Sequence, residues 1–391
     1  MVFTPRALAI FTLSVLCACT SAPHRSPKAP ELHAPLRYEI EIDGALTTMT
    51  QTICWDAPGP RTLRTSDPAG MQVVETISSA SGHVVRRVGS ILDVSGLNDA
   101  DCVSLNIDLD AVAEQRRLRP THDELAPSLW LPTDAWLWFD NDDDVRADAT
   151  INWSAPPEVE LATPWELTAP RTYLVRRDDF DWKTVIALGS LEHRSFETSG
   201  ATVSVTALDP SHLPSDQVLQ PWLSQSLETV ASLHDGVFPR RRVNVFLIPT
   251  RRPSSEPVVF GLVTRGGIAP TVSLFLSNDA SEDALRGEWV AIHELLHVAM
   301  PYVASVDAWL SEGFVTYLTE VLRARHGYYN SDRDFSPGTS LDFRGIDAAQ
   351  AQTLMALTTL QLGLERGQKE SSRFNLSLRE ASEKLGNIHA F

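Results

Sequence analysis

The residues of this chain with the clearest chemical potential are those of the run His293-Glu294-Leu295-Leu296-His297. On a helix, positions i and i+4 share a face, so two imidazoles at this spacing can reach one metal ion. The carboxylate beside the first then points to a neighbouring water position. Catalytic zinc takes three protein ligands and keeps a fourth position open. Glu312, in Asp307-Ala308-Trp309-Leu310-Ser311-Glu312-Gly313-Phe314, is the candidate third ligand if a second helix runs back antiparallel to the first. The apolar residues around it predict a buried face, where an unpaired carboxylate would be costly.

These residues need elements to hold them. Asp279 or Ser281 can cap a helix that runs to Met300, where Pro301 ends it. A second helix is expected from about Val306, with Leu310, Phe314, Tyr317, Leu318 and Val321 on its apolar face and Gly327 as its stop. Residues 217–233 and 348–364 also have helical period, and 243–248 and 271–276 read as strands. From 37 to 209 the chain instead shows short runs of period-two alternation separated by turn residues, which predicts a β-sandwich whose core takes the tryptophans of 130–182. Leu191-Glu192-His193 falls in this part as a strand connection. The class is therefore α+β, with a β-sandwich over 37–209 followed by a mixed α/β domain over 210–391.

The first residues read as an address. A positive Arg6, an apolar run from Ala7 to Leu16 and the sequence Leu16-Cys17-Ala18-Cys19 resemble the lipobox of bacterial lipoproteins, which implies a signal peptide over 1–18 and lipidation of Cys19. Residues 19–36 are proline-rich and polar, a tether. By the same resemblance Thr20, in place of an aspartate, implies the outer membrane, with the lipid as the attachment to the cell envelope. Cys54 and Cys102 then remain, either a disulfide in an oxidising compartment or two buried thiols. With 33 basic against 50 acidic residues the net charge is -17, which repels phosphate backbones and argues against nucleic acid as a partner. The acidic run Asp140 to Asp144 lacks the glycine and terminal glutamate of a calcium loop and reads as solvated.

The HELLH run followed by Asp307-Ala308-Trp309-Leu310-Ser311-Glu312-Gly313-Phe314-Val315-Thr316-Tyr317-Leu318 resembles the gluzincins, in particular the glycyl aminopeptidase family and more distantly the aminopeptidase N family with its Trp-Leu-x-Glu-Gly signature. The resemblance implies a thermolysin-like zinc peptidase domain behind an N-terminal β-domain. It implies one zinc per chain held by His293, His297 and Glu312, Glu294 as the base that activates water, and a peptide or protein substrate. Asp307 is then either an acceptor that orients a ligand or a helix N-cap. Phe260 to Gly267 falls where gluzincins place the strand that pairs with substrate, so Arg265, Gly266 and Gly267 either approach the peptide or form a plain hairpin turn. Relatives use a later tyrosine to donate a hydrogen bond to the developing oxyanion. Here the last tyrosine is Tyr329, so either another group supplies that donor, with Tyr328 or Tyr329 the candidates just past the second helix, or the catalytic domain is shortened at its C-terminus and its activity weak. The competing reading is a zinc-containing surface lipoprotein that binds peptides without cleaving them.

Overall fold

The computed structural model describes residues 35–56, 58–97, 101–116, 128–143, 145–180, 182–250, 254–303 and 308–328. Among them, the first half is built on a seven-stranded sheet in the order Glu166–Ala169, Thr172–Val175, Ala149–Ser154, Arg37–Ile42, Thr48–Cys54, Cys102–Asp108, Val74–Ser79. Arg37–Ile42 lies parallel to Ala149–Ser154, and the other pairs are antiparallel. Arg37–Ile42 alternates exposed and buried side chains along its whole length, as a strand with one wet face must. Its buried Tyr38 and Ile40 meet Leu63, Trp136, Trp138 and Ile186, which come from two smaller sheets of four and three strands and the turns beside them. The Tyr38 hydroxyl donates to the Trp138 carbonyl at 2.8 Å, so the one polar atom of that side chain is satisfied inside the core. The β-rich first half is thus one large sheet backed by two small ones. Cys54 and Cys102 face each other across the Thr48–Cys54 and Cys102–Asp108 pair and form a disulfide.

The second half is a five-stranded sheet in the order Leu191–Thr198, Ala201–Leu208, Arg242–Thr250, Thr271–Ser277, Val258–Thr264. The expected boundary at 209 is corrected here. The hairpin Leu191–Thr198/Ala201–Leu208 pairs parallel with Arg242–Thr250, so this sheet begins just after Gly189. Alternation shows that a segment is a strand but not which sheet it joins. The central strand is buried on both faces. Val245 and Leu247 face helices, with Leu223 and Leu227 of Asp216–Ala231 and Ile292, Leu295 and Leu296 of Val290–Ala299 in the same core. Phe246 and Ile248 face the other way and meet Trp130, Val185 and Ala187 of the three-stranded sheet. Trp130 also donates its indole N–H to Ser273 Oγ at 2.9 Å and packs edge-on against Phe275. The two halves therefore share a core.

The expected helix from about 280 to 300 is two helices. Ser281 caps Glu282–Leu285, the chain breaks over 286–289, and a new helix, Val290–Ala299, carries the HELLH run. The cause is Glu288. Its buried carboxylate accepts hydrogen bonds from the backbone N–H groups of Val290 and, at 2.9 Å, Ala291, and so caps a second start. The helix of Glu312 spans Ala308–Arg325, and Gly327 follows it with φ +72°, the left-handed conformation of a helix stop. No helix among the described residues is long and apolar enough to cross a membrane.

Candidate metal centre

The helix Val290–Ala299 is fixed at both ends. At its start, Glu288 holds the first N–H groups, and Arg323 of the antiparallel helix Ala308–Arg325 donates to the Gly287 carbonyl at 2.9 Å. At its end, Arg265 donates to the carbonyl of His297 and, at 3.4 Å, to that of Met300, two of the carbonyls a helix leaves unpaired. Leu295 and Leu296, between the histidines, are buried in the core and lock the helix in rotation. His293 and Glu294 are buried, and His297 is half-buried.

Between these helices three donor atoms meet. His293 Nε2 and His297 Nε2 are 3.2 Å apart, and Glu312 Oε2 is 3.2 Å from the first and 3.3 Å from the second. A tetrahedral metal with ligand bonds of about 2.0–2.1 Å holds its donor atoms about 3.3 Å from one another. The triangle has that size on all three sides, so the donor set fits zinc. Among the described residues it is the one group of three or more histidine, cysteine or acidic side chains arranged to hold a metal ion.

The protonation states suit ligation. Burial, then the charge of His297, pulls His293 down to about 4, and burial likewise lowers His297, so both imidazoles are neutral and present a lone pair at neutral pH. Burial, then Glu312, then Glu288, raises Glu294 to about 8. The Glu312 carboxylate is exposed, contrary to the expectation of a buried face, so the triangle opens to solvent on that side. His293 Nδ1 is buried with no hydrogen-bond partner among the described residues. Asp307, the residue expected to orient a ligand, lies outside them, as do Cys19 and Tyr329.

Three other expectations are corrected by the packing. Tyr328 follows the end of the Glu312 helix, about 20 Å along the axis from Glu312 at 1.5 Å per residue, and its hydroxyl pairs with Thr229 Oγ1 at 3.0 Å. It docks that helix onto Asp216–Ala231 and does not reach the triangle. Arg265 is committed to the carbonyls at the helix end. Gly266 and Gly267 make their close approach to the first half of the chain: a side chain on Gly266 would run into Thr184 and Trp182, one on Gly267 into Pro164, and the Gly267 N–H donates to Asp179 at 2.8 Å. The glycine that serves the site is Gly261, on the edge strand Val258–Thr264. A Cβ there would lie 2.5 Å from Glu294 Cγ and 2.7 Å from Val290 Cγ1.

No family model and no curated protein matches the sequence. Solved structures do. The chain aligns with an aminopeptidase N family protein from Idiomarina loihiensis at TM-score 0.53 and 14% identity, over 76% of this chain and 56% of that one. The fold is that of an aminopeptidase N family protein. The chain spans little more than half the length of that protein. It also aligns with an M1 zinc metallopeptidase from Deinococcus radiodurans at TM-score 0.47 and 16% identity, over 90% of this chain and 93% of that one. At 14% identity the likeness to the Idiomarina loihiensis protein is one of fold alone.

Proposed function

We propose that this chain is a zinc-dependent peptidase of the gluzincin type, with a thermolysin-like arrangement of helices around the metal. The observation that carries the reading is the donor triangle of His293, His297 and Glu312, equal-sided and of zinc's dimensions, beside an acid-base group. Zinc, when bound, polarises a substrate carbonyl and acidifies water. The rest falls to residues of this chain. Glu294, on the turn of His293 and pressed against Gly261, is the group that takes a proton from water and returns it to the leaving nitrogen. The buried leucines and the two end caps keep it from turning away. Among the described residues the edge strand Val258–Thr264 has an unpaired side, suited to an extended peptide backbone.

The test is metal analysis joined to a peptide-library cleavage assay. About one zinc per chain and defined cleavage products support the reading. A chain that binds zinc and peptides but cleaves none supports the second reading, a peptide-binding zinc protein. That reading draws on the engagement of Tyr328 with Thr229, which removes one of the two tyrosines expected as oxyanion donor. As to location, we propose a lipid anchor on Cys19 and attachment to the bacterial outer membrane. Cys19→Ser should release the protein into the soluble fraction, and continued membrane association without an acyl mass on Cys19 would refute the anchor.

A further inference from the structure

The edge strand and the metal-site helix run side by side. Gly261 lies against Glu294 and Val290, and four residues on, Arg265 reaches the carbonyls of His297 and Met300. Near that end of the strand two rings are left in the open. Tyr302, just past the helix, is 52% exposed, and Trp182, from the first half of the chain, is 37% exposed. They pack edge to face with centroids 4.9 Å apart. Their placement is specified from several sides. The Arg265 guanidinium lies over the Tyr302 ring at 5.9 Å, and Gly266 leaves its Cβ position to Thr184 and the Trp182 side chain. The turn is also held to the first half by Gly267 N–H to Asp179 and Ile268 N–H to the Pro164 carbonyl, each at 2.8 Å.

Exposed aromatic pairs held rigidly by two domains are poor candidates for accident, because burying either ring would remove a large apolar area from water. The edge strand offers them an occupant. An extended peptide on the edge strand advances about 3.3 Å per residue, so a chain with its scissile bond beside Glu294 reaches the rings after about four residues.

Resting on the peptidase reading, we infer that Trp182 and Tyr302 form a specificity subsite for an aromatic or large aliphatic side chain about four residues from the scissile bond. On this reading the protein favours extended peptides with an apolar residue at that distance.

The experiment walks one phenylalanine through an otherwise alanine- and serine-based undecapeptide carrying a single cleavable bond. For the zinc-loaded protein, phenylalanine about four positions from the cut is expected to raise kcat/KM about tenfold over alanine there, through KM. Trp182→Ala and Tyr302→Ala should bring that ratio to about one, whereas Tyr302→Phe keeps it. Binding of the same peptides to Glu294→Gln, followed by fluorescence anisotropy, should show the same positional preference. A flat profile, or a preference that survives both alanine variants, overturns the subsite. So does a fall in Tm in both variants with the ratio intact, which would assign the rings to the fold. If the wild type cleaves none of the peptides while Glu294→Gln shows the preference, the hydrolysis reading fails and the subsite stands.

Discussion

Glu294 occupies the space that a side chain on Gly261 would need: a Cβ at 261 would stand 2.5 Å from its Cγ and 2.6 Å from its Oε1. The edge strand thus also sets the rotamer of Glu294, the proposed acid-base group. Gly261→Ala should displace the carboxylate by close to an ångström and lower kcat about a hundredfold, with zinc content unchanged. Steady-state kinetics together with metal analysis measures both. Loss of zinc in parallel with activity would show instead that the helix itself had moved.

The metal and the base should separate under mutation. Glu294→Gln is expected to keep about one zinc per chain and lose cleavage, whereas His293→Ala, His297→Ala and Glu312→Ala each remove one corner of the triangle and should lose the metal. Dialysis against a chelator of graded strength reports the affinities. A Glu312→Ala variant that retains wild-type zinc affinity would overturn the third ligand.

Glu288 gives the fold a pH dependence of definite sign. Burial raises its carboxyl from 4.5 to about 7, against the hydrogen bonds of Ala291, Val290 and Trp289 and the charge of Arg323, which act the other way. The charge of Glu288 in turn adds to the upward pull on the Glu294 carboxyl. A folded-state value above the unfolded one means that the folded chain holds the proton longer. Below the unfolded value the shift has no effect, between there and about 7 stability falls as pH rises, and above 7 the loss is complete. At 1.4 kcal/mol per unit it is of the order of 3 kcal/mol. Glu288→Gln keeps an acceptor oxygen and cannot ionise. Melted in the presence of chelator, it should match the wild type near pH 4 and exceed its Tm at pH 8.5.

The Cys54–Cys102 disulfide closes a loop with a sequence separation of 48. On the chain-entropy model it contributes roughly 4 kcal/mol. The double alanine variant should therefore unfold at clearly lower denaturant, read by urea titration, and the pair should be recovered as one linked species in non-reducing peptide maps.

How far the sequence revealed all this depended on the range of the interaction. The triangle was legible because helical spacing alone places His293 beside His297, and one antiparallel helix suffices to deliver Glu312. The same local logic misread 280–300 as continuous, since Ser281 is a good cap on its own and only the folded state shows Glu288 capping again. Glycine roles were assigned to the wrong pair. Gly266 and Gly267 are crowded by the first half of the chain and Gly261 by Glu294, and no spacing rule tells which neighbour a glycine will meet. The chemistry of Tyr328 suits an oxyanion donor, but its partner Thr229 lies 99 residues away in sequence, beyond any local rule. Trp182, expected in the core with the other tryptophans, is instead partly exposed against Tyr302, a residue for which the sequence carries no signal.

The indole of Trp130, bonded to Ser273 under the central strands, bears on how this protein can be dissected. Phe246, Ile248 and Phe275 share a buried cluster with Trp130, Ala162, Val185 and Ala187 of the three-stranded sheet. A fragment trimmed to start at the five-stranded sheet would present that greasy underside to water and precipitate or oligomerise, even with every ligand in place. In the intact protein, limited digestion should accordingly leave both halves associated after a nick between them, and neither half should behave as an autonomous module that could be grafted onto another chain.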